Sequence, residues 1–519
     1  MIDFDLVLQA IGGRAWSYQC FLTMIMFWNA IPFGMHTLAP VFYSAPVQFR
    51  CNDSATLNFS TTVRDSCKRR CETSDYGDLC IQNTTTCQEF EFESSYFTNT
   101  IIMEYSLVCD KQVFLAITTS MYMAGMWIGS ILFGYISDRF GRKCALMLAS
   151  IGCLVSSLCL YFANNVWLFM SIRLLVGAFC YPIFMISFIY VMEINYKHRT
   201  VCGLLMHVPF AIGHAINSLI AYYFTSWRKF NTVISLFFAP CVLFNLLVPE
   251  SPRWLFSHNK NKSGIKIART FFKKANMEPD SSIWEKTTRN NTLGNASQRQ
   301  YSSFDLFKPR RMRNVTLKVM CIWFSSSLLF YGLSLNVGSL YGNIFINNAL
   351  NAGVEVLVSL FIIAIFERVG RRILLSVSII WAGVGCIANG ILNLTSHDKE
   401  RAYVSLFGKI GAAAAFHILY NFTAELYPTV VRSNGVGMGS MSARIGSICT
   451  PFLIRMYFKV GFIPDFVYAA VSLTAGILAV TLPETSGTKL CQTITEAEIM
   501  YLRSKSRQKH CHDGEETGL

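Results

Sequence analysis

The segment that decides the fold is Gly134-Tyr-Ile-Ser-Asp138-Arg139-Phe-Gly141-Arg142-Lys143, in which one acid and three bases accompany two glycines. A similar run, Glu367-Arg368-Val-Gly370-Arg371-Arg372, follows 229 residues later. Two further pairs of motifs keep nearly the same offset. Glu193 with Arg199-Thr200 recurs as Glu425 with Arg432-Ser433, and Pro249-Glu250-Ser251 recurs as Pro483-Glu484-Thr485. Motifs repeated in one order at about one offset indicate two similar halves.

Long apolar runs surround these motifs. The chain has 519 residues, of which 52% are hydrophobic and 15% charged, whereas soluble domains carry about 25% charged residues. This composition excludes a large soluble enzyme, collagen, a coiled coil and a disordered chain. Because a helix needs roughly 20 apolar residues to cross a bilayer, we predict an all-α membrane protein with twelve spans, numbered in chain order. These are 18–40, 113–136, 144–164, 167–190, 201–225, 230–249, 316–337, 346–366, 373–395, 402–422, 436–456 and 466–483.

The repeat predicts how the spans are arranged. Each pair of related motifs follows equivalent spans in the two halves, so the halves have the same orientation and contain six spans each. Two parallel six-helix bundles related by an axis along the membrane normal are typical of one large class of transporters.

The first long loop, 41–112, reads as an extracellular domain. It has 6 basic and 10 acidic residues. Clustered cysteines together with Asn-X-Ser/Thr sequons predict a disulfide-bonded and glycosylated loop, and the pairing of the cysteines stays open. The cysteines are Cys51, Cys67, Cys71, Cys80, Cys87 and Cys109, and the sequons lie at Asn52, Asn58 and Asn83.

The second long loop predicts the opposite side. Residues 250–314 have 14 basic and 5 acidic residues and no cysteine, which favours the cytoplasm despite sequons at 261, 290, 295 and 314. The chain's net charge of +14 is therefore read as a mark of topology and not of nucleic acid. The predicted parts are a cytoplasmic N-terminus 1–17, a bundle 18–249 that includes loop 41–112, a cytoplasmic loop 250–315, a bundle 316–483 and a cytoplasmic tail 484–519.

Charged residues of the repeated motifs are predicted to form a gate at the cytoplasmic face. Ion pairs around a tight two-glycine turn could hold the halves together there and break when the halves rock. The alternative is simple anchoring by positive charge. The residues assigned to this gate are Gly134, Asp138, Arg139, Gly141, Arg142, Lys143, Glu193, Arg199, Glu250, Arg253, Glu367, Arg368, Arg371, Glu425, Arg432 and Glu484.

These motifs resemble a known family. Residues 134–143 resemble the signature loop of the major facilitator superfamily, and Arg173 with Gly177 resembles the Arg-X-X-X-Gly pattern of its fourth helix. Motifs after spans 6 and 12, which begin at Pro249 and Pro483, occur in both the sugar and the organic ion branches. The cysteine-rich loop favours the organic cation, organic anion and carnitine transporters. So do Cys109-Asp110, Trp323-Phe324 with Tyr331-Gly332-Leu333, and Glu425-Leu-Tyr-Pro-Thr-Val-Val-Arg432.

Charged residues at mid-membrane depth are candidates for binding substrate, because a charge at the bilayer centre costs at least ~2.5–3.5 kcal/mol. Glu355 in span 8 and Arg444 in span 11 stand out by depth. Lys409 and Arg173 are expected nearer the outer ends, where they could snorkel. Arg444 could clamp a carboxylate and Glu355 could balance an ammonium, so the pair suits a zwitterion. The alternative is that the two charges only neutralise each other.

The resemblance refines this prediction. Cation transporters of the family carry an aspartate near the position of Arg444, and this chain has none there. Anion transporters add a lysine four residues after the acid of span 8, where this chain has Ser359. Aromatic side chains could complete the site by cation–π contact, although each could equally be packing. The candidates are Trp323, Phe330, Tyr331, Tyr181 and Tyr420.

The sequence therefore predicts a secondary transporter of small organic ions that works by alternating access in the plasma membrane, with no cofactor, metal or catalytic residues. A co-transported or exchanged ion stays open. A non-transporting receptor on the same fold and a sugar facilitator are the alternatives. The end of the chain, Glu516-Thr517-Gly518-Leu519, predicts a PDZ-domain ligand.

Overall fold

The structure is a computed structural model that describes residues 16–51, 90–93, 96–195, 198–258, 260–277, 303–428, 430–460, 463–486 and 493–502, with single residues at 8, 11 and 491. Several predicted features lie outside the described residues. These are Cys67, Cys71, Cys80, Cys87, the sequons at Asn52, Asn58 and Asn83, and the C-terminal residues 516–519.

Long helices occupy all twelve predicted spans. They are Trp16–Leu38, Val113–Phe140, Arg142–Cys159, Val166–Ile194, Arg199–Leu205 with His207–Tyr223, Trp227–Leu236 with Phe238–Leu247, Arg310–Leu335, Ile344–Ile365, Arg371–Leu394, Asp398–Leu426, Arg432–Val460 and Pro464–Val480. Spans 5 and 6 are each interrupted at one residue, Met206 and Phe237. Eleven of the twelve spans begin before their predicted starts, and eight end before their predicted ends, because hydropathy reports the apolar part of a helix and not where its backbone begins and ends.

Length and hydropathy alone identify nine of the described helices as able to cross a membrane. Spans 1, 11 and 12 fall short for different reasons. Span 12 has only 17 residues. Spans 1 and 11 carry polar side chains that the fold buries, such as Asn29 and Arg444.

Span 2 lies directly against span 4 in the first half. A Cβ atom on Gly177 would lie 2.1 Å from the carbonyl oxygen of Tyr122, and one on Gly125 would lie 2.0 Å from that of Leu174. Only glycine allows this distance between the helices, as at other close helix pairs in membranes. This explains the glycine of the Arg173-X-X-X-Gly177 pattern.

The halves meet along two pairs of spans. Span 5 packs on span 8, and span 2 packs on span 11. Polar contacts cross this interface at several depths: Ser120 Oγ donates to the carbonyl of Ile448 at 2.9 Å, and the hydroxyls of Tyr181 and Ser440 lie 3.0 Å apart. The centre between the halves is therefore partly polar.

One end of the bundle, here called the motif end, carries both repeated loops. Gly141 connects spans 2 and 3 with a φ of 107°, and a Cβ there would lie 2.3 Å from Glu250 Oε2. The Glu250 carboxylate accepts a hydrogen bond from the Arg142 amide at 2.8 Å. Such an anion at a helix N-terminus satisfies free amides and complements the helix dipole.

The second half repeats this arrangement. Glu484 accepts from the amides of Arg371 at 2.9 Å and Arg372 at 3.2 Å, so it caps span 9 as Glu250 caps span 3. The predicted two-glycine turn is wrong in one respect. Gly134 lies inside the helix Val113–Phe140, and only Gly141 forms the turn, because a positive φ is needed only where the chain reverses.

The opposite end carries the described part of the first long loop. Strands Gln48–Cys51 and Phe90–Glu93 pair antiparallel, with Gln48 opposite Glu93. Cys109 is disulfide-bonded. Glu104 receives hydrogen bonds from Trp227 Nε1 at 2.6 Å and from Arg228. Burial alone would raise the pKa of Glu104, but the hydrogen bonds from Arg228 and Trp227 outweigh it and lower that pKa.

We predict that Gly141→Ala lowers the thermal stability of the purified protein by about 1–3 kcal/mol, the range for a residue held in a disfavoured backbone conformation. The added Cβ would also displace Glu250 from the end of span 3. Gly134→Ala is the matched control, because nothing lies within 4 Å of a Cβ there. Equal unfolding temperatures for the two variants would contradict the assigned role of Gly141.

Candidate functional site

Two buried charges pair in the centre of the second half. Glu355 and Lys409 are each 1% exposed, and Lys409 Nζ lies 2.6 Å from Glu355 Oε1. Lys409 also donates to Ser334 Oγ and lies 3.5 Å from the centre of the Phe330 ring. The carboxylate predicted to balance a substrate ammonium therefore already has a cationic partner.

The expectation that Lys409 snorkels to the outer end is wrong. Lys409 is held inside the bundle, because its side chain is buried and its ammonium contacts Glu355 of span 8. Arg173 is also fully buried. Its guanidinium lies 4.3 Å from the Tyr122 ring centre and donates to the His36 carbonyl at 3.4 Å.

Arg444 is the second charge centre, and tyrosines surround it. Its Cζ lies 3.9 Å from the centre of the Tyr181 ring, and its Nη1 donates to the Tyr331 hydroxyl at 3.4 Å. The side chain is 1% exposed. Within the described residues no carboxylate lies within ion-pair distance of Arg444, and its Nε has no hydrogen-bond partner. The structure does not bring Arg444 and Glu355 together as an ion pair.

An aromatic wall connects the two charge centres. The Phe330 and Tyr331 rings are 5.4 Å apart, and Phe330 stacks on Phe416 at 5.2 Å. Trp323 and Tyr420 lie 4.6 Å apart, and Trp323 donates to Thr423. All five predicted aromatic candidates are therefore near the charges, with Tyr181 reaching Arg444 from the first half. Phe416 was not predicted, because one phenylalanine among 41 carries no signal of its own.

Three histidines link the halves around this centre. His214 Nε2 lies 2.9 Å from Asn348 Oδ1, and His214 Nδ1 lies 3.5 Å from Glu355. His207 and His417 place their ring centres 4.5 Å apart. His207 and His214 belong to span 5, whereas His417 and Asn348 belong to the second half. Both contacts therefore cross the interface between the halves.

The predicted gate residues lie at the motif end, but the ion pairs of the two loops act within each half. Arg142 contacts Glu193 at 2.8 Å and Asp138 at 2.7 Å. In the second half Arg371 Nε lies 3.5 Å from Glu425. These contacts brace spans 2, 3 and 4, and spans 9 and 10, because each loop faces helix ends of its own bundle. The sequence predicted that such pairs join the halves, but the ion pairs of Arg142 and Arg371 lie within one half each.

The other gate residues have varied surroundings. The Lys143 ammonium donates to the Leu246 carbonyl at 2.8 Å. Arg139 donates to the Tyr135 hydroxyl. Arg199 and Arg432 donate to nearby backbone carbonyls, and Arg253 is half-buried. Glu367 and Arg368 are exposed and form no ion pair among the residues described here. Their role in gating stays a prediction.

No cluster of three or more metal-ligating side chains occurs in the part of the chain that the structure describes. The site offers the guanidinium of Arg444, which has no carboxylate partner among the described residues, one neutralised ion pair and a set of aromatic faces. Such a set can bind an organic ion through its carboxylate and its apolar or cationic body.

Comparisons with known proteins agree with this architecture. The family model described as "Sugar (and other) transporter" matches residues 54–496. The chain is 30% identical to solute carrier family 22 member 16 of Xenopus laevis, over 94% of this chain and 93% of that protein. It is 28% identical to organic cation transporter 1 of Caenorhabditis elegans, over 96% and 88%. It is also 28% identical to the human organic cation/carnitine transporter 2, over 99% and 98%.

The fold also resembles solved structures. A structure of the proton:xylose symporter XylE, from the major facilitator superfamily, superposes with a TM-score of 0.63 at 17% identity, covering 93% of this chain and 99% of that chain. The inward-open form of XylE from E. coli gives 0.62 at 16% identity, over 91% and 98%. At this identity the likeness shows the fold alone.

We predict that Lys409→Met and Glu355→Gln each destabilise the protein, whereas the double variant recovers most of the loss. Removing one partner of a buried ion pair costs about 3–5 kcal/mol, because the other charge stays buried alone. The measurement is thermal unfolding of the detergent-purified variants in a double-mutant cycle. A double variant whose loss equals the sum of the single losses would show that the two charges do not interact.

Proposed function

The chain belongs to the major facilitator superfamily and, within it, to the family of organic cation, organic anion and carnitine transporters, and we propose that it carries zwitterionic organic ions of the carnitine type. The protein is a multi-pass membrane transporter and not an enzyme. The proposal concerns which organic ion it carries and which side chains bind that ion.

The observation that carries the proposal is the lone guanidinium of Arg444. A buried charge is stable only with a partner or in a polar cavity, and the described residues offer Arg444 only tyrosines. A substrate carboxylate can supply the missing counter-charge through two parallel hydrogen bonds. Tyr181 contacts Arg444 from the first half, and Tyr331 contacts it from the second. A carboxylate bound there would touch both halves, as alternating access requires.

The aromatic wall supports the other end of a zwitterion. Glu355 is held by Lys409, so the substrate ammonium must be bound elsewhere. The faces of Trp323, Tyr420 and Phe416 attract a quaternary ammonium by about 0.5–2 kcal/mol each. Binding of a zwitterion is consistent with the buried arginine of this chain and with its similarity to organic cation and carnitine transporters.

Two alternatives make different demands on the site. A carrier selective for pure cations would use a free carboxylate in the cavity, whereas Glu355 is paired with Lys409. Pure cations should therefore be bound by the aromatic faces alone and carried more slowly than zwitterions. A sugar carrier would need many neutral hydrogen-bonding groups, whereas the centre here holds the charges of Glu355, Lys409 and Arg444 together with six aromatic rings. A non-transporting receptor would bind the same ions without flux, which an uptake measurement separates from transport.

We further propose a plasma-membrane location with both termini and the motif end in the cytoplasm. The charge of loop 250–314 supports this orientation, and the disulfide at Cys109 supports an oxidising environment at the opposite end. Asn261 and Asn314 lie in the helices Asn261–Lys274 and Arg310–Leu335, whereas glycosylated sequons usually occupy surface loops. The C-terminal Thr517-Gly518-Leu519 is proposed as a PDZ-domain ligand.

We predict that Arg444→Lys lowers uptake of carnitine by about tenfold or more, because an ammonium cannot form the two parallel bonds of a guanidinium. Uptake is measured as initial rates in cells, corrected for protein at the surface. Tetraethylammonium, which has no carboxylate, serves as the second probe. Arg310→Lys is the matched control, since Arg310 is exposed. Equal losses for both probes would assign Arg444 a structural role.

We predict that the combined replacement of Asn52, Asn58 and Asn83 by Gln removes the gel shift produced by glycan removal. The reason is that loop 41–112 is proposed to face the lumen of the secretory pathway, whereas loop 250–314 is proposed to face the cytoplasm. Replacement of Asn261, Asn290, Asn295 and Asn314 by Gln is the control and should leave the shift unchanged. A shift that depends on the second set would reverse the proposed orientation.

A further inference from the structure

His214 contacts span 8 with both ring nitrogens. Its Nε2 lies 2.9 Å from Asn348 Oδ1, and its Nδ1 lies 3.5 Å from Glu355 Oε1. The orientation of the Asn348 amide is fixed, because its Nδ2 donates to the backbone carbonyl of His214 at 3.3 Å and to Ser218 Oγ at 2.9 Å. A carbonyl can only accept, so the amide oxygen faces the ring, and His214 must donate from Nε2.

This assignment leaves a conflict at the other nitrogen. A neutral imidazole carries one N–H only. With that hydrogen on Nε2, the lone pair of Nδ1 points at a carboxylate oxygen. Both atoms are buried. His214 Nδ1 has no hydrogen-bond partner in the described part of the chain, and Glu355 Oε1 is contacted by the Lys409 ammonium at 2.6 Å. Two buried acceptors in contact are unfavourable. One additional proton between Nδ1 and Oε1 removes the conflict.

Other titratable groups surround this contact. Lys409 reaches Glu355 from span 10 at 2.6 Å. Ser359, one turn along span 8, lies 3.3 Å from His417 Nδ1, and His417 packs on His207 of span 5. Tyr331 of span 7 lies within electrostatic range of Glu355. Because Lys409 already neutralises Glu355, the additional proton is not needed for charge balance, and it can leave without stranding a buried carboxylate.

We propose that His214 and Glu355 form a binding site for a proton and that this proton is the ion coupled to transport. The proposal extends the transport function proposed above and rests on it. His214 belongs to span 5 and Glu355 to span 8, so the proton bridges the two halves. When it is bound, the imidazolium donates to the carboxylate and holds the spans together. When it leaves, the Nδ1–H bond breaks, the electron pair stays on nitrogen, and the proton passes to water.

Release of the proton gives the halves a reason to separate at this contact. Neutral His214 then faces Glu355 with a lone pair, and the contact turns from attractive to repulsive. A proton gradient across the membrane would therefore bias which side of the bundle opens, as coupling requires.

The first test uses the full-length protein in proteoliposomes with radiolabelled carnitine as the probe. Exchange at equal pH on both sides tests the proposed function alone. Accumulation is then measured with an imposed gradient of about one pH unit at zero membrane potential, which supports up to about tenfold accumulation for one coupled proton. Exchange without any gradient-driven accumulation would overturn proton coupling and leave the proposed function standing. A His214→Gln protein that exchanges but does not accumulate is the expected result.

The second test needs no substrate, so it can decide the proposal of a proton site even when no carnitine exchange is detected. It measures the unfolding temperature of purified protein between about pH 6 and 8. Wild type should lose stability as the pH rises, because the bridging proton leaves, and His214→Gln should lose much less. Asn348→Ala should also respond less, since a neutral His214 freed from Asn348 can donate from Nδ1. The exposed His397→Gln is the control and should follow wild type. A His214→Gln or Asn348→Ala protein with the wild-type pH response would overturn the proposal.

Discussion

In the apolar centre of the bundle, the ion pair between Glu355 and Lys409 decides what the remaining charge can do. Both side chains are buried, and the 2.6 Å contact leaves neither free to serve as the main partner of a substrate. A buried pair of this kind contributes little net stability but is costly to break. Arg444, like Arg173 in the first half, has no carboxylate within ion-pair distance among the described residues. Arg444 differs from Arg173 in its contact with Tyr181 across the halves, and we propose that it binds the carboxylate of the substrate.

The motif end and the centre perform different tasks. Glu250 and Glu484 cap the starts of spans 3 and 9, and the pairs of Arg142 and Arg371 brace each half internally. These contacts make each six-helix bundle stiff at one end. The halves instead meet through the packing of span 5 on span 8 and of span 2 on span 11, and polar contacts such as His214 with Asn348 and Tyr181 with Ser440 cross this interface. Rigid halves joined by separable contacts suit a rocking motion about a central site.

The sequence was sufficient to predict the fold. The recurrence of motifs at an offset near 232 residues, together with hydropathy, specifies two parallel bundles. The sequence also predicted Arg444, Glu355 and the aromatic candidates as the site, since charges in apolar helices are rare. The structure places them near one another, and their role in binding stays a proposal. The sequence did not predict that Lys409 pairs with Glu355, because this contact depends on how spans 8 and 10 pack, which hydropathy does not report. The contacts of Asn348 and Phe416 depend on which face of each helix points to the centre. A helix that is apolar on most sides has no sequence pattern that shows this face. Ion pairs at the motif end were predicted to join the halves, whereas the pairs of Arg142 and Arg371 lie within one half each, a difference that the sequence does not report because both halves offer the same residue types.

The most direct test of the account compares three ligands that differ by one group each. Carnitine carries a carboxylate and a trimethylammonium group, its methyl ester lacks the free carboxylate, and 3-hydroxybutyrate lacks the ammonium. Their binding to the purified protein can be measured by competition with radiolabelled carnitine. The account predicts that carnitine binds tightest, that 3-hydroxybutyrate binds more weakly, and that the ester binds at least about tenfold more weakly than carnitine, as expected for loss of a bidentate charged contact. An ester that binds as tightly as carnitine would contradict the central role of Arg444.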